Sequence, residues 1–222
     1  MNTELRVLHE RNGDSYDFDL MLETRERTRG VIRDVAAQIG PGMTEEDALA
    51  LMRQTLKARD MLRGWHGIHV RFGSNTLKTF GKPSEPGVVL RENDIFFIDI
   101  GPVWRGYEGD GGETFTVGSD PEMLKAAADV RAVFDTVRDA WLREGLTGDE
   151  LYRHAQAQAE ALGWELNLDM SGHRLSDFPH AVKFDGALLD APYTPTSGLW
   201  VLEIQIRHPD KPFSAFYEDL LL

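Results

Sequence analysis

Apolar positions along this chain fall into one pattern that occurs twice. Between residues 20 and 39, Leu20, Leu22, Val31, Ile32, Val35, Ala36 and Ile39 recur at intervals that suit one helical face, with charge on the rest of the surface. Gly40, Pro41 and Gly42 end that helix. Thr44, followed by acids at 45 to 47, opens a second helix that the pattern carries to about Leu62. The stretch WHGIHVRFGSNT is aromatic and β-branched and reads as strand and loop, and residues 81–94 are turn chemistry. IFFIDIGPV and GGETFTVG then read as two strands of a hairpin.

The plan repeats after Asp120. Asp120 and Pro121 start a long helix to about Glu144, and the capping box Thr147 to Glu150 starts another that ends near Gly163. Irregular and strand segments follow to residue 222. Residues 20–118 and 120–222 therefore share one order, two helices and then antiparallel strands. The predicted class is α+β, with two pseudo-symmetric halves whose sheets join and a cleft on the axis between them. Residues 1–19 read as a short, irregular polar extension, and residues 1–222 as one domain without a separate N-terminal one.

Charge and composition narrow the function. The chain has 24 basic and 37 acidic side chains, for a net −13, and such an acidic balance argues against nucleic acid and anionic membrane as partners. No apolar run approaches the roughly 18 residues that span a bilayer, and the polar start lacks the apolar core of a signal peptide, so a cytoplasmic location is expected. With no cysteine, thiolate zinc sites, iron–sulfur clusters and thiol nucleophiles are excluded.

The informative anomaly is acid inside apolar strands. Asp99 sits in IFFIDIG, Glu203 in LWVLEIQI and Glu218 in AFYEDLLL, where an ionised carboxylate is costly unless cations or donors compensate it. Any one of them could be an edge residue or half of an ion pair. Together with Asp110 in GYEGDGGETF they form a set, and the turn-rich GPVWRGYEG lets Asp99 and Asp110 reach one point from adjacent strands. Few basic residues lie near these strands; Arg207 and Lys211 are the nearest to Glu203. Four carboxylates and one neutral imidazole carry about −4, which two divalent cations would balance. The imidazole candidate is His173 in SGHRLSDFPH, after the small Ser171 and Gly172, with His180 seven residues on.

This set resembles the pita-bread metallopeptidases, the family of methionine aminopeptidase, aminopeptidase P and prolidase. The family's ligand order is Asp, Asp, His, Glu, Glu, and Asp99, Asp110, His173, Glu203 and Glu218 match it. The eleven-residue step from Asp99 to Asp110 and the seven-residue step from His173 to His180 match too. The resemblance implies the pita-bread fold, with a curved sheet holding the site in its central cleft. It also implies two divalent ions, Mn²⁺ or Co²⁺ ahead of Zn²⁺ or Fe²⁺, with a water or hydroxide bridging them. Glu203 would then be both ligand and general base, Glu218 a bridging ligand, and His180 a hydrogen-bond partner of the scissile carbonyl or tetrahedral intermediate. A homodimer acting on short peptides is expected by the same route.

Three departures stand out. GHRLSD replaces the family's glycine-rich run after the ligand histidine, and Glu113 stands where an Arg is common. The family's histidine shortly before the first aspartate has no counterpart; His66 and His69 lie 33 and 30 residues upstream of Asp99, and His69 is taken as a substrate contact. LEIQIRHP is closer to the Xaa-Pro branch than to the methionine branch, so a metal-dependent exopeptidase of Xaa-Pro bonds is expected. Trp65, Phe72 and Phe178 could line a pocket for proline or simply pack. Methionine-aminopeptidase-like activity, a non-catalytic binding role on the same fold, and hydrolysis of a non-peptide C–N bond are the alternatives.

Overall fold

A computed structural model of the chain describes residues 2–180 and 184–222. Helix ends follow local capping chemistry. Helix α2 (Phe18–Ala36) starts at Asp17, whose carboxylate accepts from the N–H groups of Asp19 and Leu20; α3 (Glu45–Ala58) starts at the Thr44–Asp47 capping box. The latter stops short of Leu62 because Asp60 turns into positive φ and carries Met61 down into the core. Helix α4 (Pro121–Glu144) opens on Asp120 and proline and closes on left-handed Gly145. Helix α5 (Gly148–Ala161) begins where Glu150 accepts from the Thr147 N–H at 2.9 Å.

The strands are β1 (His69–Phe72), β2 (Asp94–Ile100), β3 (Val103–Trp104), β4 (Tyr107–Glu108), β5 (Gly111–Val117), β6 (Glu165–Leu166), β7 (His173–Arg174), β8 (Trp200–Arg207) and β9 (Ser214–Leu220). The main antiparallel sheet runs β1-β2-β5-β9-β8-β6, with β7 also on β8. The β2–β5 and β8–β9 pairs correspond between the halves, and they meet through β5 and β9 at Gly112↔Glu218. The turn-rich link from β2 to β5 folds as the β3–β4 ribbon, with positive φ at Arg105 and Gly106 at its tip.

Period-two alternation divides the sheet's faces. Phe96, Ile98 and Ile100 pack under Val31, Ile32, Val35, Met52 and Leu56, while Leu202, Ile204, Ala215 and Tyr217 pack under Val133, Phe134, Leu151 and Ala155. Helices thus cover one face. The intervening positions, Phe97 and Asp99, Glu203 and Gln205, Phe216 and Glu218, turn to the other. Among the described residues no helix is long and apolar enough to cross a membrane.

The N-terminal extension is a correction to the sequence reading: it holds a helix, α1 (Asn2–His9), rather than irregular chain. Eight residues are too few to form a stable helix alone. Tertiary contacts supply the difference. Leu5 packs on the second-half core, Glu10 accepts from Thr196 N and Trp200 Nε1 at 2.8 Å each, and His9 Nδ1 lies 2.9 Å from the Tyr193 hydroxyl. Fully buried Arg174 donates to the carbonyls of His9, Leu175 and Leu199, with its guanidinium over the Trp200 ring. The departure GHRLSD is therefore structural: its arginine fastens the extension to the second half.

Gly112 sits at the β5–β9 junction, where a Cβ would strike the Phe216 ring and come within 3.0 Å of Glu218 Oε1. Gly112→Ala is expected to cost about 1–3 kcal/mol. Gly40→Ala, at a position with no neighbour within 4 Å, is expected to be neutral or slightly stabilising. Urea unfolding midpoints of the two variants test the difference.

Candidate metal centre

The antiparallel registers place His69↔Asp99, Asp99↔Gly112, Gly112↔Glu218 and Glu218↔Glu203 as successive Cα partners, so one row crosses five strands. Side chains in such a row share a face. Three acids therefore project to the side the helices leave uncovered, and the glycine between them lets Glu218 and Phe216 approach β5. Asp110 precedes β5 by one residue and has the same parity as Gly112, so it joins the row from the end of the β3–β4 ribbon. His173 enters from β7, paired with Val201.

Asp110 is the centre of the cluster. Its Oδ2 lies 2.9 Å from His173 Nε2 and its Oδ1 lies 3.2 Å from Nε2 of His66. His173 Nε2 is also 3.8 Å from Glu203 Oε1, and His66 Nε2 is 3.7 Å from Asp99 Oδ1. The Gly172 N–H holds Glu203 Oε2 at 2.9 Å. Gly172 itself has φ +69, and a Cβ there would strike the Val201 carbonyl, so only glycine suits the approach. The His173 Nδ1–H donates to the Arg174 carbonyl at 2.8 Å, which turns Nε2 toward the acids.

These atoms fit divalent ions. Donors bound at about 2.0–2.2 Å at right angles lie roughly 3 Å apart, close to the separations around Asp110. Asp110 and Glu218 are each only 1% exposed, and among the described residues Glu218 Oε1 has no hydrogen-bond partner. The next residue on β9 supplies the contrast. Asp219, facing the helices, takes Arg25 Nε and Nη2 at 2.6 Å each and Arg29 at 3.2 Å, and Arg29 also reaches Glu113 at 2.9 Å. Guanidinium groups thus neutralise Asp219 and Glu113. Among the described residues, the ion-pair partners of Asp99, Asp110 and Glu203 are imidazoles instead, and Glu218 pairs with no cationic side chain.

The cluster lies in a cleft of about 280 Å³ also lined by Trp65, Phe80, Met170, Asp169 and His180. Glu108, 1% exposed, accepts from the His180 backbone N–H at 2.8 Å and lies 2.7 Å from its Nδ1. The Trp65 ring meets His66, His173 and His180 edge-on at centroid distances of 4.4, 4.9 and 4.8 Å.

A model of metallopeptidase family M24 matches residues 19–221. This chain belongs to that family. The methionine aminopeptidase of Clostridium acetobutylicum is 27% identical over 147 residues, covering 63% of this M24 chain and 58% of that protein. In three dimensions the chain is similar to the X-Pro aminopeptidase of Thermotoga maritima, with TM-score 0.74 and 18% identity over 98% of this chain and 61% of that one. It is also similar to the prolidase of Pyrococcus furiosus, with TM-score 0.78 and 16% identity over 99% and 64%. The fold is the pita-bread fold, and the chain spans less than two thirds of the length of each of these relatives.

The sequence-predicted site residues Asp99, Asp110, His173, Glu203, Glu218 and His180 all line this M24 chain's cleft. His69 does not line it: its ring packs on Phe80 at 5.5 Å, and its Nδ1 lies 3.4 Å from Arg71 Nη2. Phe72 is buried in the first-half core, and Phe178 lies under Arg63. His66 and Glu108 join the site without a local signal, because loop geometry and the β3–β4 ribbon bring them there.

Electrostatics follow from crowding. Burial, with Asp110 and Glu203 nearby, pushes Asp99 up to about 7 against the pull of His66; burial and the neighbouring acids push Glu218 well above the carboxylate range. Burial would raise Asp110 as well, but His173 and His66 outweigh it and hold Asp110 at about 2. The same pairings overcome burial to lift both histidines to about 9. Asp99, Glu218, His66 and His173 all bind protons more tightly folded than unfolded, so their contribution to stability is lost as pH rises. The metal-free protein is therefore expected to lose stability from about pH 5 to pH 9. Glu218→Gln is expected to flatten the loss, and saturating Mn²⁺ to reverse it, because bound metal displaces those protons. Melting temperatures across that range, with and without chelator, test both effects.

Proposed function

We propose that this chain is a metal-dependent exopeptidase of dipeptides or short peptides, acting on Xaa-Pro bonds with two divalent ions, Mn²⁺ or Co²⁺ ahead of Zn²⁺ or Fe²⁺. The observation that carries this reading is the convergence of Asp99, Asp110, His173, Glu203 and Glu218 around one under-compensated cleft within an M24 fold. The five would hold the ions, which when bound supply Lewis acidity toward the peptide carbonyl and a water that is acidic near neutral pH.

The chain's own groups do the rest. Gly172 fixes Glu203 through Oε2, which leaves Oε1 to take the proton of the attacking water and pass it to the leaving nitrogen. Glu108 engages Nδ1 of His180, so the Nε2 edge is what a substrate meets, placed to hydrogen-bond the carbonyl oxygen as negative charge develops there. Trp65, Phe80 and Met170 give the cleft an apolar wall suited to a prolyl ring. The X-Pro aminopeptidase and prolidase similarities support that choice, while the similarity to a methionine aminopeptidase favours a second reading in which an N-terminal methionine is removed.

A metal-reconstituted assay separates these readings: Xaa-Pro dipeptides, longer peptides blocked at either end, and Met-Ala-type peptides. Xaa-Pro cleavage is expected, lost on chelation and restored by Mn²⁺ or Co²⁺. Glu203→Gln is expected to lower kcat by about 10²–10⁴-fold with the fold intact by circular dichroism. Full turnover after complete metal removal would contradict the proposal, and preference for Met-Ala peptides would select the second reading.

A further inference from the structure

His66 comes from a loop before the sheet begins, yet its ring lies over the acid cluster, and the loop is built to keep it there. The Trp65 N–H donates to the Gly101 carbonyl at 2.9 Å, and Trp65 Nε1 donates to the Gly109 carbonyl at 2.9 Å. At Gly101 a Cβ would strike the His66 ring and lie 2.6 Å from Trp65 Nε1, so a glycine there makes room for both side chains. Phe80 closes the outer side, with ring centroids 5.9 Å apart, and the His66 side chain is 6% exposed.

The ring's nitrogens repeat the arrangement at His173. His66 Nδ1 lies 2.7 Å from the carbonyl of the next residue, Gly67, as His173 Nδ1 lies 2.8 Å from that of Arg174. With Nδ1 donating to a carbonyl, Nε2 is the ring nitrogen left to bind a cation. That nitrogen lies 3.2 Å from Asp110 Oδ1 and 3.7 Å from Asp99 Oδ1, whereas His173 Nε2 faces the other oxygen of the same aspartate. Asp110 is thus bracketed by two imidazoles, one per oxygen. These separations match those expected of neighbouring donors on one ion.

We infer that His66 is a sixth protein ligand, supplying nitrogen to the ion held by Asp99 and Asp110, so that each ion of the pair carries one imidazole. The inference rests on the two-ion reading above. It has a chemical consequence: nitrogen in place of an oxygen donor favours Co²⁺, Zn²⁺ or Fe²⁺ over Mn²⁺ at that position. His69, with Arg71 against one ring nitrogen and the other buried without a hydrogen-bond partner among the described residues, plays no such part.

The test is titration of chelator-stripped, full-length protein with Co²⁺ by calorimetry, with X-ray absorption counting nitrogen donors on the loaded samples. The wild type and His69→Ala are expected to bind two ions per chain. His66→Ala is expected to bind one of them at least about tenfold more weakly and to lose nitrogen coordination; His66→Gln, which returns an oxygen donor, is expected to recover part of the affinity. Circular dichroism of the stripped variants establishes that they are folded. Two ions bound by folded His66→Ala and His66→Gln with wild-type affinities and nitrogen count would overturn this inference alone. Fewer than two ions in the wild type would overturn the two-ion reading and this inference with it.

Discussion

Four carboxylates crowd into one poorly solvated cleft, and their mutual repulsion is the constraint around which the rest of the structure is arranged. The sheet holds Asp99, Glu203 and Glu218 in one row, and Asp110 joins them beside β5. Ionised carboxylates in that setting would be strongly destabilising without cations. Two imidazoles on Asp110 offset part of the charge, and Glu218 Oε1, without a hydrogen-bond partner among the described residues, shows what is left over.

The framework that holds this charge has two corresponding halves. Each contributes two helices and a hairpin, and their union through β5 and β9 brings acids from both to one point. The helix-covered face carries the hydrophobic core, together with an ion-pair network in which Arg25 and Arg29 satisfy Asp219 and Glu113. Adjacent acids on β9 therefore have opposite fates. Asp219 is neutralised by the chain itself, whereas Glu218 is left for something the chain does not contain. That asymmetry within two residues is the strongest physical argument that the cleft receives cations.

Much of this was legible in sequence because the signals were local. Thr44, Asp120 and Thr147 mark helix starts through their own side chains, and acids in apolar strands stand out wherever they fall. What could not be read depended on tertiary contact. Helix α1 exists through Arg174, Glu10 and Trp200, residues far apart in the chain. His66 reaches the cleft because Gly101 leaves room for it, while His69, the expected contact, pairs with Asp99 in register but packs on Phe80 and Arg71. Glu108 is invisible as a partner of His180 until the β3–β4 ribbon folds.

The central claim, that the row of acids exists to hold divalent cations, is tested most directly by anomalous diffraction from crystals equilibrated with Mn²⁺ or Co²⁺ and measured at the metal's absorption edge. Two peaks in the cleft, bracketing Asp110 and within bonding distance of Asp99, His173, Glu203 and Glu218, are the expected result. A cleft without anomalous density at saturating metal would contradict the account.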